Sequence, residues 1–140
     1  MTGCNPPHCI GCCNSELIDF NTGKPASEYM NRIRKYIEDY DNLIHNIFLL
    51  GGSFNHQSDE DLQWFFEELV LVTLKQNGKF DKKIWLFTRE DIEDVKPIFT
   101  KYCDYIKTGS YIEELATDNH IQYDIKLASS NQNIWKKHYD

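Results

Sequence analysis

The chain has 140 residues, 41% hydrophobic, 14% aromatic and 26% charged, with a net charge of −7. This length fits one domain around one core, the apolar content argues against disorder, and the acidic balance without a Lys/Arg run argues against a nucleic-acid surface. No segment approaches the roughly 18 apolar residues of a membrane span, and the opening residues carry no secretion signal, so a cytoplasmic protein is expected.

Residues 1–24 read as a loop rich in Cys, Pro, Asn and Gly, closing on Asn21-Thr22-Gly23-Lys24-Pro25. A helix is predicted from Ser27 to about Asn42, where Met30, Ile33, Ile37 and Tyr40 recur at helical spacing among charged residues. Ile47-Phe48-Leu49-Leu50, stopped by Gly51-Gly52, predicts a buried strand and a tight loop. Ser58 has the character of an N-cap, followed by Asp59, Glu60 and Asp61 in a first helical turn. That helix runs through Leu62, Phe65, Phe66, Leu69, Val70 and Val72 to Asn77-Gly78. Ile84-Trp85-Leu86-Phe87 predicts a second strand, and Glu90–Tyr102 a third helix that Pro97 kinks or restarts. Tyr105-Ile106 is a short strand candidate, and the stretch from His120 to Leu127 another. Strands alternating with helices imply an α/β fold with a mainly parallel sheet, whose ligands sit beyond the C-terminal strand ends. The cysteine loop, Gly51-Gly52 and Thr88 should meet at that edge.

Four of the five cysteines, Cys4, Cys9, Cys12 and Cys13, fall within the first thirteen residues; the fifth is Cys103. An odd count without a secretion signal does not fit a disulfide framework. Clustered thiols point to metal or redox chemistry. Zinc could take Cys4, Cys9 and Cys12 with His8 or Cys13, although no second Cys-x-x-Cys supplies the usual distant ligand pair. Three closely spaced cysteines also suit a [4Fe–4S] cluster with one iron open.

Cys4, Cys9 and Cys12-Cys13-Asn14 together resemble the cluster loop of the small radical S-adenosylmethionine glycyl-radical activases. The pattern is most similar to that of the activating proteins of anaerobic ribonucleoside-triphosphate reductases. Further segments agree in order: Leu49-Leu50-Gly51-Gly52, Ile84 to Thr88, Asp104 to Leu115, and Lys126 to Trp135 with its Ser130-Asn131-Gln132 signature. The resemblance implies one domain over residues 1–140, a partial (β/α) barrel-like, mainly parallel sheet, and a cluster loop at about 3–14. It further implies an oxidoreductase in which Cys4, Cys9 and Cys12 hold a [4Fe–4S] cluster that cleaves S-adenosylmethionine reductively. The resulting 5′-deoxyadenosyl radical would form a glycyl radical on the large subunit of the reductase. A flavodoxin or ferredoxin would donate the electron. By the same resemblance Gly51 and Gly52 would let the backbone approach the cofactor's amino group. Ser53 and Thr88 would hydrogen-bond to the cofactor, and Ser130, Asn131 and Gln132 would line its site or the partner surface.

Four positions depart from that family's pattern. The first cysteine gap has four residues where three are usual, with Pro6-Pro7 inside it. Ser53 stands where an acidic residue is usual, and Cys13 where an aromatic is usual. Three residues precede Cys4, so the sheet is expected to lack or shorten its first strand. Ser53 and the absent first strand favour an alternative, a non-catalytic iron–sulfur or zinc-binding module of the same fold; a structural zinc protein is a third reading. Elsewhere Trp64, Phe65 and Phe66 are expected in the core, and Glu67, Glu68, Glu93 and Asp94 on solvated faces. Cys103 is expected as a small buried residue, Gly109 in a turn, and Trp135 in the core or at a partner. His45, His56, His120 and His138 show no ligand spacing; His8 lies inside the cluster loop.

Overall fold

The computed structural model describes residues 1–137, without the side chains of Gln76 and Asn77; His138 lies outside the described residues. Its first helix, α1, spans Ala26–Tyr40 and runs on into a 3₁₀ turn at Asp41–Leu43. Strand β1 is Asn46–Leu49 and α2 is Asp59–Asn77. Ser58 caps α2 as its sequence suggests: its Oγ accepts the Asp61 amide at 3.1 Å and its hydroxyl donates to the Asp61 carboxylate at 2.7 Å. At the other end Gly78 takes a φ of 75° and donates its N–H to the Leu74 carbonyl, a left-handed stop that glycine adopts without strain.

Strand β2 is Lys83–Phe87. Of the two alternatives for residues 90–102 the restart holds: a 3₁₀ turn at Ile92–Asp94 is followed by α3 at Pro97–Tyr102. Proline removes an N–H and disfavours helical backbone at the residue before it, so Pro97 sits at the first helical position. Strand β3 is Tyr105–Thr108, longer than the two residues expected. The stretch around 120–127 forms a small antiparallel hairpin, β4 (Ile121–Gln122) and β5 (Ile125–Lys126). A last strand, β6 (Asn133–Lys136), was not legible as a strand.

The main sheet has the order β1-β2-β3-β6. β1, β2 and β3 are parallel in register Phe48–Trp85–Tyr105, and β6 runs antiparallel to β3. The architecture is therefore mixed α/β with a mostly parallel, open sheet rather than a closed barrel. Side chains alternate across it. Leu49, Ile84, Leu86 and Ile106 join Met30 and Ile37 of α1, Leu62, Phe66, Leu69 and Val72 of α2, and Phe99 of α3 in the main core. Phe66 and Phe99 are fully buried and meet edge to face at 5.8 Å. Each such side chain stabilises by about 1.5–3 kcal/mol through removal from water. Phe65 packs partly against the core, but Trp64 points outward, against its expected place. Cys103 is fully buried, and burial pushes its thiol pKa upward.

The opposite sheet face carries Trp85, Phe87 and Tyr105, packed with Leu127 and Ile134. Trp85 stacks on Tyr105 at 3.8 Å and on Phe48 at 5.5 Å. Trp135 is half-buried and donates its indole N–H to Thr108 Oγ1 at 3.1 Å. Among the described residues no helix is long and apolar enough to cross a membrane.

Candidate iron–sulfur site

The three parallel strands end in the same direction, and each releases a loop there: Gly51-Gly52-Ser53 after β1, Thr88-Arg89-Glu90 after β2, and Gly109-Ser110-Tyr111 after β3. Residues 4–14 fold over these exits. Between them lies a cavity of about 500 Å³, a size common for small-molecule sites. Its walls include Cys4, Cys9, Cys12 and Cys13, together with Gly51, Gly52, Ser53 and Thr88. The sequence therefore brings thiols and strand-end residues to one space. Ser130 and Asn131 fall outside this lining; Gln132 is the member of that signature that reaches it. The Asn131 side chain instead donates to the Ser110 carbonyl at 2.9 Å. Gln132 braces the wall, accepting the Ala128 and Ser129 amides and donating to the Gly109 carbonyl.

Gly51 and Gly52 line the cavity and also have a structural task beside the one the resemblance implies. The Gly52 N–H donates to the Met1 carbonyl at 2.9 Å and the Ser53 N–H to the Gly3 carbonyl at 2.8 Å. Residues 1–3 thus pair alongside residues 51–53. A Cβ at Gly51 would lie 2.6 Å from the Met1 oxygen, and one at Gly52 only 2.7 Å from the Gly3 oxygen and 2.8 Å from the Leu17 oxygen. The space that these glycines leave is filled by the backbone flanking the cysteine loop. Gly51 also has a φ of 121°, which side-chain-bearing residues avoid. Gln57 secures the same seam by donating to the carbonyls of Thr2 and Ser53.

The loop is also held from β2. Arg89 donates to the Asn5 carbonyl at 2.6 Å and to the Pro7 carbonyl, and its guanidinium lies 3.8 Å from Cys9 Sγ. Pro6–Pro7 is a cis peptide. The Asn5 N–H donates to His56 Nδ1 at 2.8 Å, and His56 Nε2 meets Glu90 Oε1 at 2.7 Å. Arg89 Nε reaches the same Glu90 oxygen at 3.2 Å. His56, with no ligand spacing in the sequence, is therefore part of the loop's support. Its partner Asn5 lies 51 residues away, and no local pattern signals that pairing. His8 turns onto its own loop, its Nε2 lying 3.0 Å from the Cys4 carbonyl oxygen.

The chemistry of the walls is uneven. Lys107 and Arg89 line the cavity, and among the described residues no Asp or Glu does so, although Glu90, Glu113 and Glu114 line the adjoining space beside Cys9 and Arg89. Burial lowers the Lys107 pKa to about 8, with the Cys9 sulfur acting in the opposite sense; its ammonium donates to the Gly109 carbonyl at 2.8 Å. Burial raises the Cys4 pKa, Arg89 pulls it down, and Cys9, Cys12 and Glu90 add to the rise. For Arg89, burial works against the charge, but the Cys9 and Glu90 hydrogen bonds outweigh it and the pKa rises. Ser53 is 6% exposed, and its hydroxyl oxygen is buried without a hydrogen-bond partner among the described residues. A buried hydroxyl left unpaired costs free energy that a ligand atom could return.

The residues present fit an iron–sulfur group. All four loop cysteines are free thiols bordering one cavity, beside a guanidinium that favours thiolates. Among the described residues no three His, Cys, Asp or Glu side chains converge on a single-ion point. A cuboidal cluster instead takes its thiolates at separate corners. The site and fold thus define an α/β protein with a thiol loop suited to iron and sulfide. The chain belongs to the 4Fe-4S single cluster domain family, whose model matches residues 1–135. No curated protein and no solved structure matches the chain.

Proposed function

We propose that this iron–sulfur protein is a small glycyl-radical activase that acts on an anaerobic ribonucleoside-triphosphate reductase. Cys4, Cys9 and Cys12 would hold the [4Fe–4S] cluster, leaving Cys13 as a spare thiol on the rim. When bound, the cluster supplies an open iron and one electron, with which S-adenosylmethionine is split into methionine and a 5′-deoxyadenosyl radical. That radical would take a hydrogen atom from a glycine of the reductase, leaving 5′-deoxyadenosine and a glycyl radical. A flavodoxin or ferredoxin is the matching class of electron donor. The observation that carries this reading is the single cavity shared by the thiol loop and the exits of three parallel strands.

The chain's own residues have distinct tasks in this reading. The unpaired Ser53 hydroxyl offers one hydrogen bond to the cofactor. Lys107 keeps donors beyond the one given to Gly109 and would meet the cofactor's carboxylate. Thr88 Oγ1 already accepts the Glu90 N–H at 3.2 Å and keeps its hydroxyl hydrogen and a second lone pair to offer. An open, mostly parallel sheet with residues 1–3 paired beside the exit of β1 is compatible with a partial (β/α) barrel whose first strand is shortened.

A second reading has its own support. A cofactor bearing an ammonium and a sulfonium would meet Ser53 at the usual acidic position, and among the described residues the cavity walls offer it no carboxylate. That favours a non-catalytic cluster-binding module. The deciding experiment is anaerobic reconstitution with iron and sulfide, then EPR of the reduced protein with and without S-adenosylmethionine, followed by assay for 5′-deoxyadenosine. A signal that changes on adding the cofactor, with 5′-deoxyadenosine released, is the activase result. An unchanged signal and no product from a fully loaded protein overturns it in favour of the module.

A further inference from the structure

Arg89 holds the cysteine loop with both ends of its guanidinium. One terminal nitrogen donates to the Asn5 carbonyl, while the other donates to the Pro7 carbonyl and lies 3.8 Å from Cys9 Sγ. The side chain is 19% exposed, so solvent screens its charge only in part. Its posture is fixed from behind. Glu90 Oε1 accepts the Arg89 Nε–H at 3.2 Å. The same oxygen accepts His56 Nε2, and the His56 side chain is 10% exposed. The Asn5 N–H donates to Nδ1, which assigns the ring proton to Nε2 and makes His56 a donor to Glu90. The loop is thus gripped at both the N–H and the C=O of Asn5 by two side chains joined through one carboxylate.

We propose that Arg89 is a positioning residue that raises the reduction potential of a cluster bound at Cys9, and that Glu90 and His56 hold it in place to do so. The proposal rests on the iron–sulfur site with Cys9 as a ligand and is independent of whether S-adenosylmethionine is cleaved. Reduction adds one negative charge to the cluster. A fixed cation beside a ligating sulfur, with an N–H directed at it, favours the reduced form. The carboxylate of Glu90 is engaged at Nε and orients the cation; its own negative charge also reaches the loop, where it acts on Cys4 against Arg89, and it is unchanged in every variant. Lys107 is a second cation facing the same cavity, and an unchanged Lys107 in every variant leaves its contribution constant.

The test is potentiometric titration, followed by EPR, of the full chain reconstituted anaerobically with iron and sulfide, with iron and sulfide content measured first. The variants are Arg89→Gln, Arg89→Lys, His56→Ala and the double variant Arg89→Gln/His56→Ala. Loaded Arg89→Gln is expected to be about tenfold harder to reduce, a fall of about 59 mV for one electron. Arg89→Lys should recover most of that fall. His56→Ala should move the potential the same way by less, and the double variant should match Arg89→Gln alone because the two act through one contact. Loaded Arg89→Gln at the wild-type potential overturns the proposal. If Arg89→Gln loses its cluster while Arg89→Lys keeps it, a near-wild-type potential for Arg89→Lys supports the proposal and a tenfold loss overturns it. Loss of the cluster from both marks Arg89 as a structural strut and also overturns it. Wild-type protein that takes up no iron is a different failure, that of the iron–sulfur reading itself.

Discussion

The two sides of the sheet's upper end are held together by different physics. Around Phe66, Leu69, Ile84, Leu86 and Phe99 the structure depends on burial, with each of these side chains completely removed from water. Residues 4–14 are the opposite case: Ile10 is 99% exposed, and Cys9 and Cys13 are exposed as well. This loop is held by polar links from Arg89, His56 and the seam at residues 51–53. One region makes the protein fold and the other shapes the site, so each can be damaged with limited harm to the other.

The largest expected effect falls on the loop. Cys4→Ala, Cys9→Ala and Cys12→Ala should each abolish iron and sulfide uptake, whereas Cys13→Ala should keep it, as read by metal content and visible absorbance. The urea midpoint of the metal-free protein should change little in all four, within about 0.5 kcal/mol of stability. Uptake surviving in Cys12→Ala but lost in Cys13→Ala would move the ligand assignment by one residue. The reverse experiment is Phe66→Ala, which should cost about 3–5 kcal/mol in urea unfolding through the cavity it leaves. A cost below 1 kcal/mol would mean that this core does not carry the fold.

Gly52→Ala joins the two regions. Its new methyl group meets the backbone oxygens of Gly3 and Leu17, neither of which is a flexible side chain. About 1–3 kcal/mol of stability should be lost, and the cluster should be retained more weakly under a chelator. Wild-type retention would show that the seam does not anchor the loop. The smallest effect concerns Lys107. Its folded pKa, about 8, is below the ordinary 10.5, so the unfolded chain binds more protons between those values. Stability of the metal-free protein should therefore rise with pH across that window and stay level below it. Unfolding midpoints in Lys107→Met should lack this rise; an identical pH profile would remove Lys107 from the buried side of the cavity.

Local signals made much of the fold readable. Ser58 and Gly78 carry their own capping chemistry, so the ends of α2 could be placed from sequence. The apolar runs ended by Gly51 and Thr88 marked β1 and β2. Strand β6 was missed because Asn133-Ile134-Trp135-Lys136 is too short to show a period, and its pairing with β3 is what makes it a strand. Trp64 was misplaced because three successive aromatics cannot all face one side of a helix. At the site, the cysteines and Ser53 were legible as residue types in a pattern. Arg89 was not, since it reaches Asn5 across 84 residues. The family match to residues 1–135 confirms an iron–sulfur class and leaves the finer activity to the experiments above.

The span of those contacts also imposes an order of events. The cysteine loop precedes its anchors at Gly52, His56 and Arg89 in the chain, and so leaves the ribosome before them. Until β1 and β2 have paired and set those exits in place, the loop is a floppy chelator with four competing thiols. Closing contacts over such separations is slow compared with local structure. Iron and sulfide delivered to the nascent chain would meet an unsorted set of ligands, whereas the folded sheet presents them already arranged. For a cluster held by this loop, it is the folded sheet and not the nascent chain that presents an ordered set of ligands.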